Sequence, residues 1–431
     1  MSNNHSLYLT LKESESVLHR FNEPAITYKE GKLSTAAKTR GLKIRTELES
    51  GYLEDFIDKC KQPNLKINLT KDQIDLINNM VDSITSEVGR ALVGLTVLQM
   101  TLKSIEPEQS IRLHKGSSSS GSFSWEEGIP MRVLDKNFIT PVLRKYGLIK
   151  LNADGFMMTR SLAENYPYSG LYKAAIRGAR KEWIEITNLI EDQKLNATEG
   201  LKQLVSSLLS RSDAFNSLSK KTLENLRSFI PVNNSKSISD LIKRFVKESE
   251  YSARIFEVSI HSFFQAIEEL KQLPGYLKPL SQMRSANKKH GNIGDIEISA
   301  SKNGLSIIEA WDAKFGKTYL RDELEELSDK LESHSETELV GFITDETPNL
   351  GKEIEKRVKE LEDVFNLSIN ILSFDDWVSF QLEKYAVDKE DLAKRWITCF
   401  TESLCQKRRS IAPIDEPTFD WVQSLNLLLS E

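Results

Sequence analysis

Cysteine is scarce in this 431-residue chain: Cys60, Cys399 and Cys405 form no pair of metal-ligand spacing, and so odd and sparse a set suits a reducing compartment. Unbroken apolar runs of membrane-helix length are missing. The polar stretch MSNNHSLYLTLKESES lacks the basic and apolar regions of a signal peptide, so a cytoplasmic protein without membrane association is expected. A dominant charge is missing too, since a net charge of −5 does not advertise a nucleic-acid binder. With 39% hydrophobic and 28% charged residues, wholesale disorder is excluded. The length is too great for one compact core, and two or three domains are expected.

The charge is unevenly distributed. From Pro141 to Lys181 stand Arg144, Lys145, Lys150, Arg160, Lys173, Arg177, Arg180 and Lys181 against Asp154 and Glu164, and a smaller basic excess runs from Phe21 to Arg45. Such patches are either DNA-facing or solvated faces. The first seventy residues read as short helices. Thr70 and Gln73 then form a capping box, and apolar residues recur at three- and four-residue steps from Ile74 to Leu102. This pattern predicts one amphipathic helix of about 50 Å, packed in the core or offered as an interface through Gly89, Ala91 and Gly94. The run GSSSSGSFS, Gly116 to Ser124, is a low-complexity loop.

Residues 130–160 resemble a winged helix-turn-helix. Arg132 to Phe138 would be one helix and Thr140 to Tyr146 the second, with a hairpin of Leu148 to Leu151 and Phe156 to Thr159; a plain helix-hairpin is the alternative. Arg144 and Lys145 are the candidates for DNA contact there. A basic helix expected over 171–181 adds Tyr172, Arg177 and Arg180 as candidates for phosphate contact. Helices are expected from Ala197 to Ile230 and from Ser239 to Leu273, with a boundary at Pro231 to Ser235.

The most informative stretch is Gly291 to Lys317, GNIGDIEISASKNGLSIIEAWDAKFGK. It reads as a β-hairpin, with strands from Gly294 to Ile298 and from Leu305 to Phe315 and turn chemistry from Ser301 to Gly304. Side chains two apart share a face, so Ile308, Ala310, Asp312 and Lys314 lie on one side and Ile307, Glu309, Trp311 and Ala313 on the other. An acid and a lysine buried together are costly without good partners. Asp295 on the first strand and Asp312 on the second can hold a divalent cation between them, with Lys314 beside it to orient or deprotonate a water and offset charge on a phosphate. The bland alternative is a surface hairpin with a salt-bridged Asp and Lys. Acid-x-Lys also occurs at Glu30 and at Asp192, so the strand context singles out the third copy.

Asp295 followed by Asp312-Ala313-Lys314 resembles the motif of the PD-(D/E)XK nuclease superfamily, to which most type II restriction endonucleases belong. Gly294 stands where that superfamily often has proline, and Asp312 where Glu is commoner. Tyr251 to Val258 resembles the helix that precedes the catalytic strands, which makes Glu257 a candidate third metal ligand; otherwise it is a surface glutamate near Arg254. The basic loop SQMRSANKKH adds Arg284, Lys288 and Lys289 near the scissile strand. A helix over Tyr319 to Leu331, a strand over Glu338 to Thr344, a helix over Gly351 to Val364 and a strand over Leu367 to Phe374 complete a β-α-β crossover. The expected fold is α+β: a helical region over 1–115, a helical, winged-helix-like DNA-engaging region over 126–235, and a C-terminal α/β nuclease domain over 236–431 with a mixed sheet flanked by helices. The resemblance covers roughly 236–380. It implies a Mg²⁺-dependent, site-specific endonuclease acting on double-stranded DNA and leaving a 5′-phosphate, a homodimer, and a companion methyltransferase. Alternatives are a repair or recombination nuclease of the same superfamily and a non-catalytic DNA-binding regulator.

Overall fold

The computed structural model describes residues 7–21, 23–84, 89–119, 121–149, 155–158, 162–173, 176, 178–280, 292–405 and 417–430. The fold is α+β, with a three-stranded and a five-stranded sheet among many helices. The chain divides into two compact units, one running to Asn216 and the other from Ser217, and the division falls inside a 33-residue helix. Among the described residues no helix is long and apolar enough to cross a membrane.

Where short helices are expected, the first unit opens with an antiparallel meander: β1 (Tyr8–Lys12), β2 (Glu15–Arg20) and β3 (Glu23–Lys29). Leu9 pairs with Leu18 and Leu18 with Ile26, and this face packs on Leu113 and Trp125. Strands this short carry too few periods for alternation to be told from a helical face in sequence. After α1 (Thr35–Glu49) and α2 (Tyr52–Cys60), α3 (Lys71–Asp82) starts at the expected capping box. There Thr70 Oγ1 accepts from the Gln73 amide at 3.3 Å and Gln73 Oε1 from the Thr70 amide at 3.1 Å.

The single long helix expected next is in fact two, α3 and α4 (Arg90–Ile105). Gly89 caps α4 at φ +94°, and a Cβ there would lie 2.5 Å from the Ser83 carbonyl oxygen, so the interruption is built on a glycine. Far from being amphipathic, α4 is buried on nearly every side and sits in the core of the unit. Gly94 makes room for the Phe156 ring, not for a partner backbone.

The winged-helix expectation is overturned. α5 (Met131–Leu134), a π-helical turn (Asp135–Ile139) and α6 (Thr140–Lys145) run on without a turn between two helices, and Phe156–Met158 is a 3-10 turn where a wing strand is expected. The remaining expected hairpin positions 150–154 and 159 lie outside the described residues. Asp135 explains the difference: fully buried, its carboxylate accepts from Thr140 Oγ1 at 2.6 Å and from the Met157 amide at 3.0 Å, tying the π-turn to the 3-10 turn. Burial pushes its carboxyl up to about 6. The basic helix expected from Leu171 starts only at Arg180, as α7 (Arg180–Glu191), and α8 (Ala197–Phe229) follows.

In the second unit, α9 (Ser235–Glu248) and α10 (Ser252–Glu269) replace one expected helix, the break falling at Tyr251 with φ +58°. The sheet runs β4 (Tyr276–Leu277), β5 (Ile296–Ser299), β6 (Ile307–Lys314), β7 (Leu339–Thr344), β8 (Ser368–Ser373) in spatial order, antiparallel as far as β6 and parallel from there on. The expected hairpin and crossover are thus present, with two-residue β4 as an additional edge strand. The helices α11 (Arg321–Leu331) and α12 (Lys352–Phe365) connect the parallel strands and share one core with Ala310, Val340, Phe342, Ile369 and Ile371. Trp311, which points to the other side of β6, packs on Trp377 and Phe380 of α13 (Phe374–Tyr385). Gly341 on β7 lies under that indole, for a Cβ there would be 2.1 Å from Trp311 Cζ3. α14 (Lys389–Leu404) and α15 (Thr418–Leu428) complete the unit, Trp396 Nε1 of α14 donating to the Ser259 carbonyl of α10 at 2.8 Å.

Candidate active site

Because β5 and β6 are antiparallel, the start of one strand and the end of the other meet at the same end of the sheet. Ile296 pairs with Trp311, which sets Asp295 opposite Asp312. The approach is closer than an ordinary side chain at 294 would allow. A Cβ on Gly294 would lie 2.7 Å from the Trp311 carbonyl oxygen and 2.9 Å from its carbon, so the departure from proline noted in the motif has a steric reason here. Asp295 Oδ2 accepts from the Ala313 amide at 3.1 Å.

Asp312 is 5% exposed, and its Oδ2 takes the Lys314 ammonium at 2.8 Å. Its Oδ1 is buried without a hydrogen-bond partner. The two carboxyl groups are within hydrogen-bonding reach of each other. Burial first, then the Asp312 charge and that of Glu257, hold the Asp295 carboxyl well above the usual range, against the pull of Lys314. For Asp312 burial acts upward, but the hydrogen bond with Asp295 and the charges of Lys314 and Lys330 outweigh it and leave the group below its ordinary value. Closeness and burial thus push the proton affinities of the two aspartates apart, Asp295 upward and Asp312 downward. Lys314 loses by burial and gains more from Asp312, Asp295 and Glu323, so it is held firmly as a cation.

Glu257 lies on α10, half-buried and ion-paired with Arg254, whose side chain is 1% exposed. Its charge reaches Asp295. Among the described residues, however, no group of three or more His, Cys, Asp or Glu side chains is placed to hold a metal ion. The Asp295–Asp312 pair with its orphaned oxygen is still a fitting donor set for Mg²⁺, which binds through one or two carboxylates and keeps several waters. No protein-family model matches the chain, and no curated protein matches its sequence.

The expected DNA contacts fare unevenly. Tyr172 is 1% exposed, its hydroxyl accepts from the Glu164 amide at 2.9 Å, and its ring packs among His114, Tyr168 and Trp183, so it is a core residue and not a phosphate contact. Arg180 spends its guanidinium on the Tyr172 and Gly170 carbonyls at 2.7 and 3.2 Å. Arg144 is half-buried and Lys145 exposed at the end of α6. Arg177, Arg284, Lys288 and Lys289 lie outside the described residues, as does the Lys407-Arg408-Arg409 cluster. Of the other acid-x-Lys copies, Asp192 is committed to Arg20 at 2.6 Å.

Three groups around the site were not singled out from sequence. Buried Glu297 on β5 accepts from the Ile293 amide at 2.6 Å and from Lys278 at 2.5 Å. Glu309, buried on the far face, accepts from Trp311 Nε1 at 2.7 Å, Lys384 at 2.5 Å and the Tyr385 hydroxyl at 2.7 Å. Alternation places both acids at inward strand positions, a signal that was available. Lys330 on α11 carries no such signal, since a lysine beside an apolar stripe is commonplace.

Proposed function

We propose that the protein is a Mg²⁺-dependent endonuclease resembling type II restriction enzymes, cutting phosphodiester bonds of specific double-stranded DNA sites. What supports it above all is the shared face of Asp295, Asp312 and Lys314: two carboxyls in contact, one with an orphaned buried oxygen, and an ammonium 2.8 Å away. Asp295 and Asp312 would hold a Mg²⁺ ion, whose chemistry there would be polarisation of the phosphate and of the attacking water. The chain's own groups do the rest. The Ala313 amide fixes Asp295. Lys314, paired with Asp312 at 2.8 Å, places a hydrogen-bonding cation toward the charge that builds on the phosphate. On this proposal two copies of the chain serve the two strands, a companion methyltransferase protects the host sites, and exposed Lys145 is a phosphate contact.

Unmethylated plasmid incubated with Mg²⁺ is expected to yield discrete fragments. Asp295→Asn, Asp312→Asn and Lys314→Ala should each lower the cutting rate by on the order of a hundredfold or more while specific DNA binding persists. Glu30→Gln is the control and should cut normally; Asp192 is unsuitable because of its Arg20 pair. Cutting confined to branches, ends or lesions would favour a repair nuclease, and binding without cutting a regulator. Wild-type cutting by Lys314→Ala would remove this hairpin from the chemistry.

A further inference from the structure

Asp295 lies at the end of a short turn, Ile293-Gly294-Asp295, that leads into β5. The turn is held from several directions. The Ile293 amide donates to Glu297 Oε1 at 2.6 Å, the Gly294 backbone presses against Trp311, and Asp295 Oδ2 takes the Ala313 amide. All of these belong to the hairpin itself. The Ile293 carbonyl is held from elsewhere: it accepts from Lys330 Nζ, on α11, at 3.3 Å. The Ile293 side chain is 1% exposed and shares a core with Leu324, Leu327 and Leu331 of that helix, so the helix grips the turn by its side chain and by its carbonyl. Lys330 is half-buried, and its positive charge is felt by Asp312.

We propose that Lys330 is a positioning residue of this site, its ammonium holding the Ile293 carbonyl so that the turn presents Asp295 against Asp312. Its catalytic consequence rests on the nuclease proposal; its tethering role does not. A lysine that merely snorkels along α11 would leave the turn unaffected when removed. A tether would not, because Asp295 reaches Asp312 only while the turn stays closed on β6, and groups that orient a ligand commonly cost about tenfold to a hundredfold in activity or affinity when lost.

The full-length protein allows both parts to be tested with Lys330→Met, which keeps length and apolar stem, and Lys330→Arg, which keeps a donor and the charge. Hydrogen exchange followed by mass spectrometry reads the turn directly. In Lys330→Met the peptide containing the Ala313 amide should exchange about tenfold faster or more, while peptides from β7 and α12 stay at wild-type rates; Lys330→Arg should be close to wild type. In single-turnover cleavage at saturating DNA and Mg²⁺, Lys330→Met should be slower by about tenfold to a hundredfold with DNA affinity unchanged, and Lys330→Arg should recover most of the rate. Unchanged exchange at Ala313 in Lys330→Met overturns the proposal, as does an Arg variant as impaired as the Met variant. Loss spread over all sheet peptides would make Lys330 a general stabiliser and overturn it equally. If the wild type cuts no DNA, the nuclease proposal fails, and the exchange experiment alone still decides whether Lys330 tethers the turn.

Discussion

Replacing Gly294 by alanine is the smallest perturbation that tests how the site is assembled. The new Cβ would meet three backbone atoms of Trp311, the oxygen at 2.7 Å, the carbonyl carbon at 2.9 Å and the nitrogen at 3.2 Å. None of these can swing aside as a side-chain tip could. Ordinary contact begins at 3.4 Å, so the turn must back away from β6 by about 0.7 Å at its closest point. The Asp295–Ala313 hydrogen bond is already 3.1 Å long, and a similar displacement carries it beyond hydrogen-bonding distance. Overpacking of this kind costs about 1–3 kcal/mol. For a unit of this size that lowers the melting temperature by roughly 2–10 °C. Thermal unfolding followed by tryptophan fluorescence measures the stability, and single-turnover cleavage measures the site, where a loss of about tenfold or more is expected because the carboxylate is misplaced. A Gly294→Ala protein that melts and cuts like the wild type would refute the close packing of the turn on β6 and the placement of Asp295 derived from it.

Two further perturbations address the first unit. His114 is buried and stacked on Tyr168 at 4.4 Å, and burial foremost, with help from Lys115, lowers its pKa from 6.5 to about 4. The unfolded chain therefore takes up a proton near pH 6.5 that the folded chain refuses until about pH 4, so stability is full above pH 6.5 and falls, by on the order of 3 kcal/mol, as pH drops through that window. Urea midpoints between pH 4 and 7 should show this slope and His114→Phe should flatten it; an equal slope in both proteins would contradict the burial account. Tyr172→Phe removes the acceptor of the Glu164 amide and should cost about 1 kcal/mol without changing DNA affinity or its salt dependence. A weakened, less salt-sensitive complex would return Tyr172 to the DNA surface.

The hairpin that carries Asp295 and Asp312 was legible because its signals are local. Turn residues, two-residue alternation and the acid-x-Lys pattern all fall within one short stretch, and the Gly304 amide does close the expected turn on Ser301 at 3.0 Å. The crossover after it was legible for the same reason, since α11, β7, α12 and β8 each carry a full period of their own pattern. What failed depends on partners distant in sequence. Asp135 joins a π-turn to Met157, 22 positions onward, and no local window announces that a helix-turn-helix pattern will run on as helix. Tyr172 and Arg180 look like surface residues in a basic stretch, yet the tyrosine completes an aromatic core and the arginine satisfies carbonyls of the chain before it. Lys330 matters through a backbone carbonyl, a group with no sequence signature at all.

The indole of Trp311 leaves a mark on how this region can vary. Its ring occupies the space above Gly341 and its backbone the space beside Gly294, while the next residue in the chain is Asp312. Three positions, one in the turn before β5 and one each on β6 and β7, are therefore tied into one epistatic set. A side chain at 341 is tolerated only after the ring at 311 has shrunk, and a smaller ring loosens the strand that carries the carboxylate. Neutral drift along the sheet is blocked at the point where it would reach the site, so homologous sequences that keep the chemistry should retain glycine, tryptophan and glycine together or exchange them together.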